Sequence, residues 1–168
     1  MIDKTLSTLA REVRGKTLKI LEGIGEQEAR FAAPGLTNSI LWHAGHALVV
    51  VEHLCVMQLT EELPSYPDDW FEKFSWDSKP ETVTEWPTVA QVTSKLRDQL
   101  ATLVEAIEQA DGGKLSSVIG EPGLGRTVRY SVIHGLHDEA KHQGEMWLLR
   151  KMYAKRIAQP AVPQTAIA

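Results

Sequence analysis

Histidine is the side chain whose number and placement in this sequence point most directly to chemistry. Six histidines are present, and they form two groups of three that lie far apart along the chain: His43, His46 and His53, then His134, His137 and His142. Imidazole is a common ligand of transition metals, and it also acts as an acid or a base near neutral pH. The fold would have to bring the two groups together for them to serve one centre.

Carboxylates accompany the second group at helical spacing. On a helix that turns about 100° per residue, four side chains of this region fall within an arc of about 80°: His134, Asp138, His142 and Glu145. The histidines of the first group also share an arc of about 80°. Helices that pack face to face lie about 8–10 Å apart, so ligand atoms from both can reach one point. Helical bundles build metal sites in this way.

A single histidine on a helix is most often exposed, or a satisfied polar group. Three on one apolar helix are harder to explain in that way, because each buried imidazole needs a hydrogen-bond partner. A metal ion would satisfy several of them together, so metal binding is the favoured interpretation of the cluster as a whole. For any single histidine other than His46 and His142, a structural role remains the better interpretation.

Apolar periodicity predicts four long helices that position these side chains. Their expected ranges are 2–29, 38–60, 88–110 and 127–157, and we call them helix one to helix four. Thr88 and Gln91 match a capping box before helix three, and Asp111-Gly112-Gly113 is expected to end it. No convincing strand pattern is present. The sequence therefore predicts an all-α four-helix bundle, with one domain over 1–157 and a C-terminal tail over 158–168.

Residues 61–87, between helices two and three, combine four prolines with five tryptophan and phenylalanine residues. Prolines at that density exclude a long helix, whereas the aromatic residues argue against a disordered linker. We expect a long ordered loop that packs over the bundle. Loops of this length often cover a functional site.

Composition excludes several classes of function. The formal net charge is −4 and no run of Lys or Arg is present, so the basic surface of a nucleic-acid binder is missing. The most apolar stretch, 40–59, contains three histidines and Glu52, which would be costly in a bilayer. The N-terminus lacks the apolar core of a signal peptide, and a lone Cys55 cannot form an internal disulfide. These features predict a soluble cytoplasmic protein that binds neither nucleic acid nor a membrane.

Two segments carry a resemblance to a known family: TNSILWHAGHAL at 37–48 and HDEAKHQGEMWLLRK at 137–151. With the proline- and aromatic-rich loop between them, they resemble the DinB-like (DinB/YfiT) superfamily in length and order. The family pattern has one ligand histidine on helix two, in a W-H-x-x-H segment. It has two more on helix four, four residues apart and followed by Gly and then Gln or Glu.

The resemblance implies which residues would bind the metal. The helix-two ligand carries over to His46, with His43 as the accessory histidine, and the second helix-four ligand carries over to His142. The first helix-four ligand falls on Asp138, where this sequence departs from the pattern. Asp is a competent ligand, and two histidines with one carboxylate form a known open-sided site. His137 is the alternative third ligand, although it points about 100° away from Asp138 on the helix.

The resemblance implies a broad range of functions, because characterised relatives in that superfamily include thiol-dependent S-transferases and isomerases, and metal-dependent hydrolases. The favoured hypothesis is therefore an enzyme in which one divalent ion, zinc, nickel or iron, activates a water or a thiol. Glu145 would orient His142 or act as general base. The alternative is a non-catalytic bundle that binds metal or a small molecule, and His43 as a fourth ligand would indicate such a closed site. The expected partner is a small-molecule substrate, with a low-molecular-weight thiol and a homodimer as further options.

Overall fold

Helices dominate the computed structural model, which describes residues 4–120 and 125–158. The four long helices are Lys4–Leu21, Ile40–Thr60, Val89–Gln109 and Val128–Ala158. Within those described ranges no strand is formed, and pairing is limited to one bridge between Val118 and Thr127. The prediction of an all-α protein is confirmed. Residues 2 and 3 of predicted helix one, and residues 159–168 of the predicted tail, lie outside the described residues.

Helix one is shorter than its predicted range of 2–29. It ends at Leu21, because the chain turns through Gly23 with a φ of 72°, a conformation that favours glycine. A separate short helix, Glu26–Ala29, follows. The two glycines after Asp111 also behave differently from the prediction: helix three already ends at Gln109, and Asp111 caps a further short helix, Gly112–Ser116.

Helix two begins at a capped residue and contains one irregular turn. The Ser39 hydroxyl accepts a hydrogen bond from the Trp42 N–H at 3.2 Å, which satisfies one of the free donors of the first turn. Residues Glu52–Val56 form a π-helical turn, and the helix ends before Glu61, which has a φ of 62°. This is the one described helix apolar and long enough to cross a membrane, yet 83% of the window concerned is buried inside the protein.

The long helices contact one another in a definite order. Helix two packs against helices three and four, and helix one packs against the same two helices. Between helices two and three lie the short helix Asp69–Phe74 and the 3-10 turn Pro80–Thr82. Trp70 and Phe74 of this segment are buried in the core, whereas Trp76 is 59% exposed.

Two glycines permit the close approaches that bring the site together. A Cβ at Gly45 of helix two would lie 2.3 Å from the Phe74 ring, and a Cβ at Gly135 of helix four would lie 2.5 Å from Cys55 Sγ. Both separations are far below ordinary van der Waals contact. Glycine at these positions therefore lets Phe74 rest on helix two and lets helix four approach helix two.

A buried ion pair joins helix one to helix four below the histidines. The Arg14 guanidinium donates to both carboxylate oxygens of Glu139, at 2.8 and 3.0 Å, and both side chains are almost fully buried. The same guanidinium donates to the Leu96 carbonyl and to Gln99 of helix three. Gln99 in turn donates to Glu52 of helix two. Hydrogen bonds of this kind are what a buried charge requires.

Candidate metal centre

Three of the predicted ligands come together between helices two and four. Asp138 Oδ2 lies 3.6 Å from His46 Nε2 and 3.5 Å from His142 Nε2. One ligand atom from each of the three residues lies within 4.8 Å of the others. His46 is buried, while His142 and Asp138 are partly buried. The spacing of four residues on helix four and the contact between the two helices together produce this group.

The second nitrogen of each imidazole already has a partner. His46 Nδ1 lies 2.7 Å from the backbone carbonyl oxygen of Phe74, and His142 Nδ1 lies 2.6 Å from Glu145 Oε2. A carbonyl and a carboxylate can only accept, so both Nδ1 atoms carry the hydrogen. In the neutral rings, the lone pair is then on Nε2, which faces Asp138. Metal-binding histidines are held in this way by acceptors behind them.

The carboxylate of Asp138 supplies the test of whether a metal fits. Among buried side-chain oxygen and nitrogen atoms of the described residues, Oδ2 of Asp138 alone has no hydrogen-bond partner. Its separations from the two Nε2 atoms are too long for hydrogen bonds. They are close to the distance of about 3.4 Å between ligand atoms of a tetrahedral zinc ion. Three acceptor atoms that converge without a donor between them fit a cation.

Electrostatics at the group agree with the geometry. The imidazoles of His142 and then His46 hold the pKa of the Asp138 carboxyl well below its usual range. Burial lowers the pKa of His142, but Asp138 and Glu145 outweigh burial, so that this pKa is raised overall. Asp138 is therefore an anion at neutral pH. It favours a positive charge beside it, whether a proton on His142 or a metal ion.

His43 lies beside this group and contacts its outer side. Its Nδ1 is 2.9 Å from His142 Nδ1 and 3.2 Å from Glu145 Oε2. Burial, followed by the charges of His142 and His46, lowers the pKa of His43 to about 3. His43 is thus neutral at neutral pH, and it forms a second trio with His142 and Glu145. It does not belong to the trio of His46, Asp138 and His142.

Trp42 forms an apolar wall across the histidines. Its indole stacks on His46 with ring centres 4.7 Å apart and an angle of 17°, and it meets His43 and His142 edge to face. The indole N–H donates to the Ser78 hydroxyl at 2.9 Å, which fixes the ring. An apolar cover of this kind limits solvent access to a metal site and lowers the local dielectric constant.

The structure separates the remaining histidines from the centre. His53 contacts the Tyr66 hydroxyl at 2.6 Å and packs against Phe71. His134 and His137 are exposed on the outside of helix four. His137, the alternative third ligand, therefore does not join the group, and Asp138 does.

The sequence analysis did not identify two groups that help to position the histidines of the centre. The Phe74 carbonyl that holds His46 is a backbone group in a loop, and no residue pattern reveals it. Trp42 adjoins His43 in the family-like segment, so its position was visible, but its stacking on His46 depends on side-chain packing.

A cavity of about 390 Å³ opens beside the centre. Its lining includes His43 and Glu145, with apolar side chains from the segment before helix two and from helix four. A larger cavity, of about 620 Å³, lies between the end of helix two and helix three and contains no histidine. The smaller cavity is the one that touches residues of the second trio.

Comparison with known proteins gives a family and a similar fold. A sequence model of the DinB superfamily matches residues 9–146. The chain is similar to the crystal structure of a conserved protein from Enterococcus faecalis, with a TM-score of 0.69 and 19% sequence identity. That likeness covers 92% of this chain and 98% of the other, and at this identity it shows a common fold alone. No curated protein matches the chain significantly.

Proposed function

The chain belongs to the DinB superfamily, and from that premise we propose that it is a metal-dependent enzyme. In this proposal His46, Asp138 and His142 hold one divalent ion between helices two and four. Two imidazoles and one carboxylate suit zinc, nickel or ferrous iron. The reaction is the hydrolysis of a small molecule or the transfer of a low-molecular-weight thiol.

One observation carries the proposal: the buried Oδ2 of Asp138 has no hydrogen-bond partner and faces two histidine nitrogens at 3.5 and 3.6 Å. A buried carboxylate oxygen left in that state is costly. A bound cation removes that cost, and the two facing nitrogens can bind the same ion. The acceptors behind both imidazoles give further support, because they direct the two Nε2 lone pairs toward Asp138.

The residues around the centre have distinct tasks. When bound, the divalent ion lowers the pKa of a coordinated water or thiol and so supplies a nucleophile at neutral pH. The Phe74 carbonyl orients His46, and Glu145 Oε2 accepts the Nδ1 hydrogen of His142 and so orients that ring. The Glu145 side chain is 54% exposed, so that its carboxylate can also take up a proton from a reacting group.

Three protein ligands favour an enzyme over the non-catalytic alternative. A structural zinc site has four protein ligands, whereas a catalytic site keeps one position open. His43 would be the fourth ligand of a closed site, but its Nδ1 contacts His142 Nδ1 and Glu145. This arrangement supports an open site, with His43 behind His142.

The wider expectations complete the proposal. We propose that the four long helices form one bundle domain over 1–157, with the loop at 61–87 as part of its cover. We also propose that the protein is cytoplasmic and that its substrate is a small molecule. In this proposal it binds neither nucleic acid nor a membrane. A homodimer is a further option that oligomeric-state measurements would decide.

The decisive experiment is metal analysis of untagged protein purified without added metal. We expect about one equivalent of zinc, nickel or iron in the parent. Asp138→Ala should lose most of the metal, whereas Asp138→His should keep it, because an imidazole supplies the third ligand in place of the carboxylate.

His137→Ala and Asp98→Ala are the matched controls, because both positions are exposed, and neither should change the metal content. Metal in Asp138→Ala at the parental level, or its loss in His137→Ala, would refute the proposed ligand set. Parent protein that binds none of the three metals in titration would refute the function itself.

A further inference from the structure

We propose that the 390 Å³ cavity beside the metal centre binds the substrate, and that this substrate has an apolar body and a polar end that is cationic or a neutral hydrogen-bond donor. By the same argument, anionic molecules bind more weakly in this cavity. The inference rests on the proposed function for the reaction that follows binding. Binding in the cavity can be measured without the metal.

The walls of the cavity select an apolar body. They are formed mainly by aliphatic side chains and a thioether, among them Leu36, Leu148, Leu149 and Met152. Leu36 and Leu148 are 63% and 58% exposed, although both are large and apolar. The volume lies in the range of about 300–1,000 Å³ that is usual for small-molecule sites. A ligand that covers these two leucines removes apolar surface from water, which favours binding.

The polar lining selects the sign of the charge. Glu145 is the one charged residue among the described residues that line the cavity, and neither Lys nor Arg contributes to its wall. Thr37, Asn38 and His43 complete the polar part. A carboxylate or phosphate on the ligand would meet the Glu145 carboxylate, and no Lys or Arg of the described lining balances that charge. An ammonium group or a hydroxyl would instead meet an acceptor.

The position of Glu145 connects the cavity to the metal centre. None of His46, Asp138 and His142 lines the cavity, so a bound molecule contacts the surroundings of the centre at His43 and Glu145. Glu145 Oε2 is also the acceptor that orients His142. The polar end of the ligand is therefore held by the carboxylate that positions a metal ligand, on the Nδ1 side of the His142 ring and opposite the side that faces Asp138.

The test uses three probes with the same six-carbon chain: hexyltrimethylammonium, hexanol and hexanesulfonate. Their affinities for metal-free protein are measured by nuclear magnetic resonance from the methyl signals of Leu148 and Met152. The comparison is made without metal because the oxygen atoms of the alcohol and the sulfonate could bind zinc directly, whereas the quaternary cation cannot. An opposite rather than a like charge near a half-exposed carboxylate changes affinity by about five- to tenfold. We expect the cation to bind more tightly than the sulfonate by that factor, with hexanol between them.

Two matched variants locate the effect. Glu145→Gln should bring the cation and the sulfonate to within about twofold of each other. Glu105→Gln, which removes a carboxylate from the wall of the larger cavity, should leave the ratio unchanged. A sulfonate that binds as tightly as the cation, a ratio that survives Glu145→Gln, or methyl signals that respond to no probe would overturn the inference. If the protein binds zinc but none of the probes, the cavity inference is refuted and the proposed function is not. If it binds the probes but no metal, the proposed function is refuted and the cavity inference is not.

Discussion

A single methyl group added at Gly45 should weaken metal binding, although Gly45 is not a ligand. A Cβ there would lie 2.3 Å from two carbons of the Phe74 ring and 2.6 Å from its Cγ. Because Cγ lies on the axis of ring rotation, turning the ring about the Cβ–Cγ bond cannot relieve the overlap, and rotation about Cα–Cβ would force the ring into the surrounding filled core. The short helix Asp69–Phe74 would have to move away by about 1 Å to reach ordinary contact. The Phe74 carbonyl, now 2.7 Å from His46 Nδ1, would move with it.

The magnitude follows from three opposing contributions. Overpacking in a filled core costs about 1–3 kcal/mol, and the lost hydrogen bond to His46 costs about 1 kcal/mol. Alanine in place of glycine within a helix returns about 1 kcal/mol. Gly45→Ala should therefore lower the free energy of unfolding of the metal-free protein by about 1–3 kcal/mol. Loss of an acceptor behind a metal-binding histidine typically lowers metal affinity by about 10- to 100-fold.

Two assays separate these effects. Urea unfolding of metal-free protein gives the stability change, and zinc titration against a competing chelator gives the affinity change. Gly144→Ala is the control, because a Cβ at Gly144 on helix four meets no atom within 4 Å. It should be neutral or slightly stabilising and should keep the parental zinc affinity. A destabilised Gly45→Ala that binds zinc as tightly as the parent would show that the Phe74 carbonyl does not orient His46.

Further predictions concern charge, pH and the thiol. Arg14→Leu leaves Glu139 buried without its partner and should cost about 3–5 kcal/mol in urea unfolding; a loss below 1 kcal/mol would contradict the ion pair. Metal affinity should fall as pH decreases through the raised pKa of His142, because a proton then occupies the site of the metal; chelator competition at several pH values tests this. In metal-free protein, the raised pKa of His142 contributes stability that is complete below about pH 6.5 and is lost as pH rises through that pKa. The lowered pKa of Asp138 contributes stability that is present above about pH 4 and is lost as pH falls through the lowered value. Unfolding midpoints should therefore be highest between those values. Burial raises the pKa of Cys55, so that a thiol reagent should modify it at the rate of unfolding rather than at once.

Helical spacing could predict which side chains share a face, and at helix four it placed Asp138, rather than its sequence neighbour His137, on the side toward helix two. Asp138 and His137 differ by about 100° around the helix. That rotation leaves His137 exposed and directs Asp138 toward His46. Spacing could not reveal where helix one ends, because the conformation of Gly23 depends on how the following segment packs. It also gave no sign of the Arg14–Glu139 pair, because a charged residue on a helix is more often exposed than buried.

The spacing of residues also does not show which nitrogen of an imidazole carries the hydrogen. At this centre, the position of that hydrogen determines whether the side chains are able to bind a metal. An imidazole offers either nitrogen, and the acceptor behind it decides which one keeps its lone pair. For His142 that acceptor, Glu145, is on the same helix at a spacing of three, so the sequence contained the relation. For His46 it is a carbonyl 28 residues away along the chain, held in place because Gly45 lacks a side chain. The loop between helices two and three is thus a structural part of the centre. The Phe74 ring packs on Gly45 and so fixes the position of the Phe74 carbonyl, which holds His46. The loop must therefore be ordered, because its contribution to the centre is a backbone oxygen.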